Sequence, residues 1–528
     1  MSASAPIPAP DVPPASEQPW QRLDVRTILA SVLVLAAVLL GIGVVVAIGM
    51  LLLGVGPGWV LLWVGGGVTV LSALVALVEW IRLRTTTYRL DGTRIERRVR
   101  FLGSSRTSLA RDRIRNVELS ADLFQRRLGI AEVKLATADG GGERFHLQAL
   151  DRAVADALRI ELLGERATAE TGTLATIDWG WLRYAPVSLT TGAIGVAAYG
   201  AVFQVFDWFA AVPALIAWIA QTFGAFPLIL LIPALILGAV VLGAVATLAL
   251  YVEGWWGYRL GRHRDASLDL HRGLLVSRST VFDGDRLRGL TLHEPLGLRR
   301  VGGARLDVIA VGVKAPEGDQ KNAQSPALVP ASPRAVGAGV AATVLGAALP
   351  EELSSHPPAA RRKRFLRAGM LTAAGTVPAV IPALLRPSLW WIPVLTVLVL
   401  AALTAVLALD NARGLGHLVT ERHVVLRKGS LFRRTDVMDR EGVLGWNLTR
   451  SPFQRRSGLG TVVATSAGGS GAFHLPDVAA EQAREVMGSA GRVWEHLQVG
   501  APAAGDVSAG AGRRPPSAGP GDAAPRDR

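Results

Sequence analysis

The chain has 528 residues, 50% of them hydrophobic and only 19% charged, and its mean hydropathy is +0.34. It is too long and too apolar for one soluble domain, so the composition predicts a multi-domain membrane protein. The formal net charge of +14 indicates a basic surface that suits anionic lipid or nucleic acid. The absence of cysteine excludes disulfides, zinc-thiolate sites and cysteine nucleophiles, and the nine histidines have no metal-ligand spacing.

Long uncharged stretches come in pairs along the chain. The first lies between Arg26 and Glu79 and breaks at residues 54–58, which predicts two helices at about 27–53 and 59–81 because a span needs about 20 apolar residues. This stretch is longer than the ~7–15 residues of a signal-peptide core, and a second span follows it at once. Two further pairs predict about six spans in three transmembrane hairpins, at residues 25–82, 179–254 and 361–411. In the second hairpin, residues 208–223 are either an interfacial helix or part of a span.

Basic residues near the ends of these spans predict the orientation, since Lys and Arg are enriched on the cytoplasmic side. They lie on one side of every hairpin: Arg22, Arg26, Arg82, Arg84, Arg183, Arg259, Arg262, Arg361, Arg362, Lys363, Arg364, Arg367 and Arg413. The opposite turns carry only Asp207 and Arg386. We therefore expect a multi-pass protein of the plasma membrane with both termini and all three hydrophilic segments in the cytoplasm.

A sequence repeat links the hydrophilic segments. FQRRLGIAEV, which begins at Phe124, returns as FQRRSGLGTV at Phe453, with the Phe, the Gln, both arginines, the Gly and the final Val unchanged. The middle segment has only Leu298-Arg299-Arg300 here, although Arg286 precedes Arg299 by the interval that separates Arg113 from Arg126. We call the three segments unit one (84–165), unit two (255–350, degenerate) and unit three (413–498).

Each unit is predicted to contain several strands followed by one helix. Alternating apolar residues and Asp-Gly turn chemistry indicate the strands. The closing helix of unit one has Leu150, Val154, Leu158 and Leu162 at helical spacing. Residues 335–349 are too short to span a membrane and are predicted to close unit two, and a helix from Asp477 toward Leu497 to close unit three. The ends of the chain, 1–24 and 500–528, have the composition of disordered segments.

The repeated corner has two kinds of residue with different expected roles. Phe124 and Phe453 are predicted to be core anchors, and the glycine after the arginines to allow a tight turn. The paired arginines cannot be buried without partners. They either lie in a solvated turn, pair with acids such as Asp112, Glu118 or Asp439, or contact lipid phosphates or an acidic partner. The candidate binding residues are Arg113, Arg115, Arg126, Arg127, Arg299, Arg300, Arg455 and Arg456.

These features resemble the bacterial pleckstrin-homology-like, membrane-flanking domain family, in the triple arrangement of YdbT-like proteins. The motifs that carry the resemblance are the hairpin of spans, the Arg-Ile-Arg-x-Val stretch at residues 113–117, and the Phe-Gln-Arg-Arg-x-Gly corner. The resemblance implies that each unit is a partly open PH-like β-barrel capped by its C-terminal helix on the cytoplasmic face. It supplies no catalytic residues.

The function expected from the sequence is that of a non-catalytic membrane scaffold. Its PH-like units would bind lipids of the anionic leaflet, a membrane-protein partner or a second copy of the chain, without cofactor or metal and without nucleic acid. A transporter or transporter accessory subunit is an alternative, although the span interiors lack the charged residues that mark transport paths. A membrane enzyme is another, although no HExxH, GxSxG or P-loop motif is present.

Overall fold

The computed structural model describes residues 20–489 except 53, 91–93, 101–102, 111–113, 138–144, 164–169, 188, 209–211, 224–226, 312 and 314–326. The expected C-terminal disordered tail and most of the N-terminal one lie outside the described residues. So does Arg113.

The structure combines long apolar helices with antiparallel strands. The helices are α1 (Arg26–Leu52), α2 (Pro57–Val60), α3 (Gly66–Thr85), α4 (Leu123–Leu128), α5 (Arg152–Leu163), α6 (Leu189–Trp208), α7 (Val212–Phe223), α8 (Leu228–Trp255), α9 (Leu296–Arg300), α10 (Arg334–Leu345), α11 (Pro358–Leu385), α12 (Trp391–Gly414), α13 (Pro452–Arg456) and α14 (Ala480–Ser489). The strands are β1 (Gln21–Arg22), β2 (Thr86–Leu90), β3 (Arg94–Arg100), β4 (Ser104–Ala110), β5 (Ile114–Asp122), β6 (Ile130–Thr137), β7 (Phe145–Asp151), β8 (Glu170–Thr176), β9 (Arg259–His263), β10 (Leu268–Arg272), β11 (Val276–Phe282), β12 (Leu287–Pro295), β13 (Gly303–Ala310), β14 (Ala327–Pro333), β15 (Gly416–Val419), β16 (His423–Lys428), β17 (Phe432–Asp439), β18 (Val443–Thr449), β19 (Leu459–Ser466) and β20 (Ala472–Ala479).

Among the described residues, five helices are long and apolar enough to cross a membrane by length and composition. They are α1, the α2–α3 helix with its π-helical turn at Leu61–Gly65, α8, α11 and α12. A sixth candidate joins the 3₁₀ segment Trp179–Val187 to α6, and the two pieces meet at an angle of 75°. The apolar stretch after Asp207 contains the separate helix α7, whose 12 residues are too few to span a bilayer. Helix α1 packs against α3, α6 against α8, and α11 against α12.

The three units share one order of elements. Each begins with three antiparallel strands, the N-terminal meander: β2–β4, β9–β11 or β15–β17. A second set of three follows, the C-terminal meander: β5–β7, β12–β14 or β18–β20. A short corner helix (α4, α9 or α13) connects the first two strands of each C-terminal meander, and a closing helix (α5, α10 or α14) follows the third. Unit two therefore has the same plan as its neighbours despite its divergent corner sequence.

Neighbouring units are joined by shared sheets. Strand β5 of unit one pairs with β11 of unit two, which makes a seven-stranded sheet in the order β7-β6-β5-β11-β10-β9-β8. Strand β12 of unit two pairs with β17 of unit three, which makes a six-stranded sheet. The expected barrel of each unit is thus open among the described residues, because the two meanders of a unit lie in different sheets. The units form one continuous row.

Apolar side chains from both meanders and the closing helix form the cores. In unit one, Ile95, Val133 and Leu158 belong to one buried cluster. The closing helix α5 buries Ala155 and Leu158, whereas Val154 is 39% exposed, so the predicted apolar face is rotated by one residue. In unit three, Ile309 from unit two enters the core cluster. The core of unit three therefore also helps to hold units two and three together.

Candidate functional site

The corner helices explain why Gln was repeated with the arginines. Asp122 caps α4, where its carboxylate accepts a hydrogen bond from Gln125 N (2.7 Å), while the Gln125 side chain accepts one from Asp122 N (2.9 Å). Ser451 and Gln454 form the same reciprocal capping box on α13. The glycine that follows, Gly129 in unit one, has φ 70°, a left-handed conformation that glycine adopts without steric cost. The prediction of a glycine-dependent turn is confirmed there.

The prediction that both corner phenylalanines are core anchors is wrong. Phe453 is 75% exposed, and Phe124 is only half-buried. Gln454 is the buried residue of the unit-three corner, since its amide donates to Thr461 Oγ1 and to Asp477 Oδ1, both at 2.9 Å. The capping box turns the Gln side chain toward the unit and leaves the preceding Phe on the outer side of a one-turn helix.

The first arginine of the first two corners contacts the next unit in the row. Arg126 donates to the backbone carbonyl of Leu274, in the hairpin turn of unit two. Arg299 reaches the carbonyl of Ser430 in the corresponding turn of unit three (3.5 Å) and pairs with Asp410 at the end of α12 (2.7 Å). Arg455 is exposed, and among the described residues no unit follows it in the row.

The second arginine of each corner, Arg127, Arg300 or Arg456, is exposed. Arg115 lies in β5, and its side chain is outside the described part, as is Asp112. Of the other two acids considered as partners, Glu118 is buried in β5 and Asp439 lies 3.2 Å from His423. The candidate arginines are therefore not one site. Arg126 and Arg299 join neighbouring units, Arg455 is exposed at the end of the row, and the three second arginines are exposed.

A cleft lies where units one and two meet, next to the first corner. Its volume is about 290 Å³, and we call it the junction cleft. Its charged and titratable lining residues are Arg126, Arg152, Asp156, Arg159, His271, Arg272 and Arg278. Trp256 and Gly257, directly after α8, also line it, so the cleft lies beside the end of a candidate membrane helix. Five arginines against one aspartate make it strongly basic.

Two of these arginines face each other across neighbouring strands. Arg272 of β10 pairs directly with Arg278 of β11, and directly opposite residues of antiparallel strands project from the same face. Burial and the Arg278 charge lower the pKa of Arg272 to about 10, although the charges of Glu118 and Asp307 act in the opposite direction. The Arg272 guanidinium lies 4.4 Å from the centre of the Trp255 ring. In the part of the chain that the structure describes, neither arginine forms an ion pair with a carboxylate.

The remaining arginines of the cleft are partly neutralised. Arg159 pairs with Asp269 (3.1 Å) and donates to Ser279 Oγ (2.9 Å), and both acceptors belong to unit two. Arg152 and Asp156 lie 3.8 Å apart and are both exposed. Among the described residues, the arginines of the cleft that form no ion pair with a carboxylate are therefore Arg126, Arg272 and Arg278.

Sequence reasoning missed Arg152, Arg159, Arg272 and Arg278. The hairpin that contains Arg272 and Arg278 could have been recognised in the sequence. Arg272 directly precedes Gly273, which is typical of a turn, and Arg278 lies five residues after that glycine. A strand–turn–strand reading would have placed both side chains on one face. Among the described residues, no group of three or more His, Asp or Glu side chains is placed to hold a metal ion.

Comparison with known proteins gives one match. The model of the bacterial PH domain family matches residues 25–166 and 371–492, which together make up half of the chain. The matched ranges contain most of units one and three and apolar helices that precede them. No curated protein and no solved structure matches the chain.

Proposed function

The chain belongs to the bacterial PH domain family, and from this premise we propose that it is a non-catalytic membrane scaffold that binds anionic lipid headgroups in the junction cleft. In this proposal the protein has six spans in three hairpins, as in the triple arrangement of YdbT-like proteins. Its row of units lies on the cytoplasmic face of the plasma membrane.

The Arg272–Arg278 pair is the observation that carries the proposal. Like charges directly opposite on neighbouring strands destabilise a sheet, and no described carboxylate pairs with either guanidinium. A phosphate between them would accept charge-assisted hydrogen bonds from both, a geometry for which guanidinium groups are well suited. Binding an anion would therefore turn an unfavourable pair into a favourable one.

The position of the cleft favours a lipid as the source of that anion. Trp256 lines the cleft, and the centre of its ring lies 5.2 Å from the centre of the Trp179 ring. Tryptophans concentrate at the membrane–water interface. A volume of about 290 Å³ fits a headgroup better than a whole lipid. The acyl chains would stay in the bilayer beside α8 while the phosphate enters the cleft.

We expect a short-chain phosphatidylglycerol to raise the thermal stability of the full chain in neutral detergent, since a ligand that binds only the folded state stabilises it. Arg272→Gln/Arg278→Gln should lose most of this shift. Arg264→Gln/Arg422→Gln, which removes two exposed arginines from strand turns distant from the cleft, should keep it. Differential scanning fluorimetry of the three proteins measures the shifts.

A matched phosphatidylcholine provides the second arm of this experiment. An equal shift with both lipids, or an unchanged shift in the Arg272/Arg278 variant, would rule out the proposed cleft. Added salt should reduce the effect of phosphatidylglycerol, because screening weakens the attraction.

The proposed orientation predicts where single cysteines react. Ser104→Cys, Asp265→Cys and Ser457→Cys each place a thiol at an exposed position, one in each unit, of a chain that has no cysteine of its own. All three should resist a membrane-impermeant maleimide in intact cells and react after permeabilisation. Labelling of any one in intact cells would place that unit on the outer face.

A further inference from the structure

The row of units ends in an unshared strand edge on each side. The equivalent strands inside the row pair with a strand of the neighbouring unit. Strand β4 of unit one corresponds to β11 and β17, and strand β18 of unit three corresponds to β5 and β12. The counterparts pair with each other as β5:β11 and β12:β17. Among the described residues, β4 and β18 are edge strands, each paired on one side only. Two junctions between units are present in the chain. The edge strands β4 and β18 are equivalent to the two sides of such a junction.

The two existing junctions use the same register. The capping residue of the corner helix, Asp122 or Pro295, pairs with Val276 or Phe432. Val276 and Phe432 each lie one position beyond the midpoint of their hairpin, since His271 pairs with Ser279 and Lys428 with Arg434. The junction is therefore a defined interface, repeated in strand, direction and register.

The two edge strands retain features of this interface. Strand β18 contains no charged residue and no proline, the residues that commonly block an exposed edge. Its corner still carries Arg455, equivalent to the joining residues Arg126 and Arg299, in an exposed position. Phe453 beside it is 75% exposed.

We infer that β18 of one copy pairs with β4 of a second copy, so that the row of units continues from chain to chain. Since Arg100 pairs with Ser104, Gly103 is the position of this hairpin that corresponds to Val276 and Phe432. The repeated register then sets Ser451 opposite Gly103, and Thr449 opposite Ser105. The two surfaces are different parts of the chain, so the contact is head-to-tail and generates a ring or an extended row. The inference is independent of the proposed lipid binding.

A second copy fits these edges better than an unrelated partner. Inside the chain, β5 and β12, the counterparts of β18, pair with β11 and β17, and each further copy offers the equivalent strand β4. Each N-terminal meander follows a candidate membrane helix closely, so both edges are held near the membrane. Anchoring in one plane raises the effective concentration of one edge at the other.

Cysteine cross-linking in native membranes tests the pairing. Ser105→Cys and Thr449→Cys are made in separately tagged copies of the full chain, which is otherwise free of cysteine. Both native residues are exposed. A short bifunctional maleimide should give a cross-linked heterodimer only when both variants are co-expressed. The double variant should give a ladder of higher species, and Ser470→Cys on an exposed turn of unit three should not cross-link with Ser105→Cys.

Three results would overturn the inference. Cross-linking of Thr449→Cys to itself would mean a two-fold contact between identical edges. A purely intrachain product from the double variant would mean that the row closes on itself. A yield no higher than that of the Ser470 control would mean that the edges do not meet.

A pair of neighbouring arginines separates a defined junction from general attraction. Arg455→Ala should lower the cross-linking yield several-fold, because Arg455 occupies the joining position, whereas Arg456→Ala should leave the yield unchanged. Both residues are exposed, so neither change should alter the thermal stability of the unassociated chain. Equal losses from both variants would overturn the assigned junction geometry.

Discussion

Replacing Asp477 with asparagine is expected to destabilise unit three by about 3–5 kcal/mol, the usual effect of breaking a buried ion pair. The Asp477 side chain is 1% exposed and pairs with Lys363 and with Arg364, the latter at 2.7 Å. It also accepts a hydrogen bond from Gln454. Asparagine has nearly the same shape and tolerates the left-handed conformation of this residue, φ 62°. The change therefore removes the negative charge, and Lys363 and Arg364 near the start of α11 lose their ion-pair partner.

The effect should depend on pH. Burial alone would raise the pKa of Asp477, but hydrogen bonds from Lys363 and Gln454 and the charges of Arg364 and Lys363 lower it below its ordinary value. A carboxyl group with a lowered pKa in the folded state stabilises the protein above its unfolded pKa, about 4, and loses this contribution as the pH falls through the folded pKa. The difference in thermal stability between parent and variant should thus be largest near neutral pH and shrink in acid.

Asp439→Asn is the matched control. The Asp439 side chain is 40% exposed and its described ion-pair partner is His423, so we expect a loss below about 1 kcal/mol. Thermal unfolding of the full chain in neutral detergent measures both variants. Equal losses, or a loss at Asp477 that does not change with pH, would contradict the role given to the buried ion pair.

Local sequence signals predicted the elements well. Uncharged runs located the apolar helices because the cost of a charge in a bilayer acts on each segment separately. Turn residues and alternation located the strands of each unit, and the short apolar stretch after residue 334 predicted α10. The spacing Asp122-x-x-Gln125 is also typical of a capping box, so the capping role of the repeated Gln could have been predicted from the sequence.

The joining of units could not be read in this way. The sequence of strand β5 indicates a strand, but it does not indicate whether the outer edge of β5 pairs with its own unit or with β11 of the next unit. The choice depends on contacts between residues more than 150 positions apart, such as Asp122 with Val276. For the same reason the sequence showed that arginines recur at the corners but not that Arg126 contacts a hairpin turn of unit two, or that Arg272 and Arg278 meet in a cleft.

Replacing Gly289 with alanine is expected to loosen the junction of units two and three. Gly289 pairs with Met438 across β12:β17 at φ 145°, and a Cβ there would lie 2.0 Å from the Val437 carbonyl oxygen. The backbone conformation and the steric overlap should together cost at least about 2 kcal/mol. Thermal unfolding and limited proteolysis of the full chain should both reveal the weakened junction.

Gly445→Ala provides a control at the equivalent position of unit three. Gly445 follows the same irregularity in β18 that Gly289 follows in β12, but β18 is an edge strand among the described residues. A Cβ on Gly445 would meet only Thr465 Oγ1 within 4 Å, at 3.4 Å. We therefore expect Gly445→Ala to lower the free energy of unfolding of the unassociated chain by less than about 1 kcal/mol. Similar losses from the two substitutions would mean that the glycine serves the strand itself, whereas a loss confined to Gly289 would show that it serves the contact with the next unit.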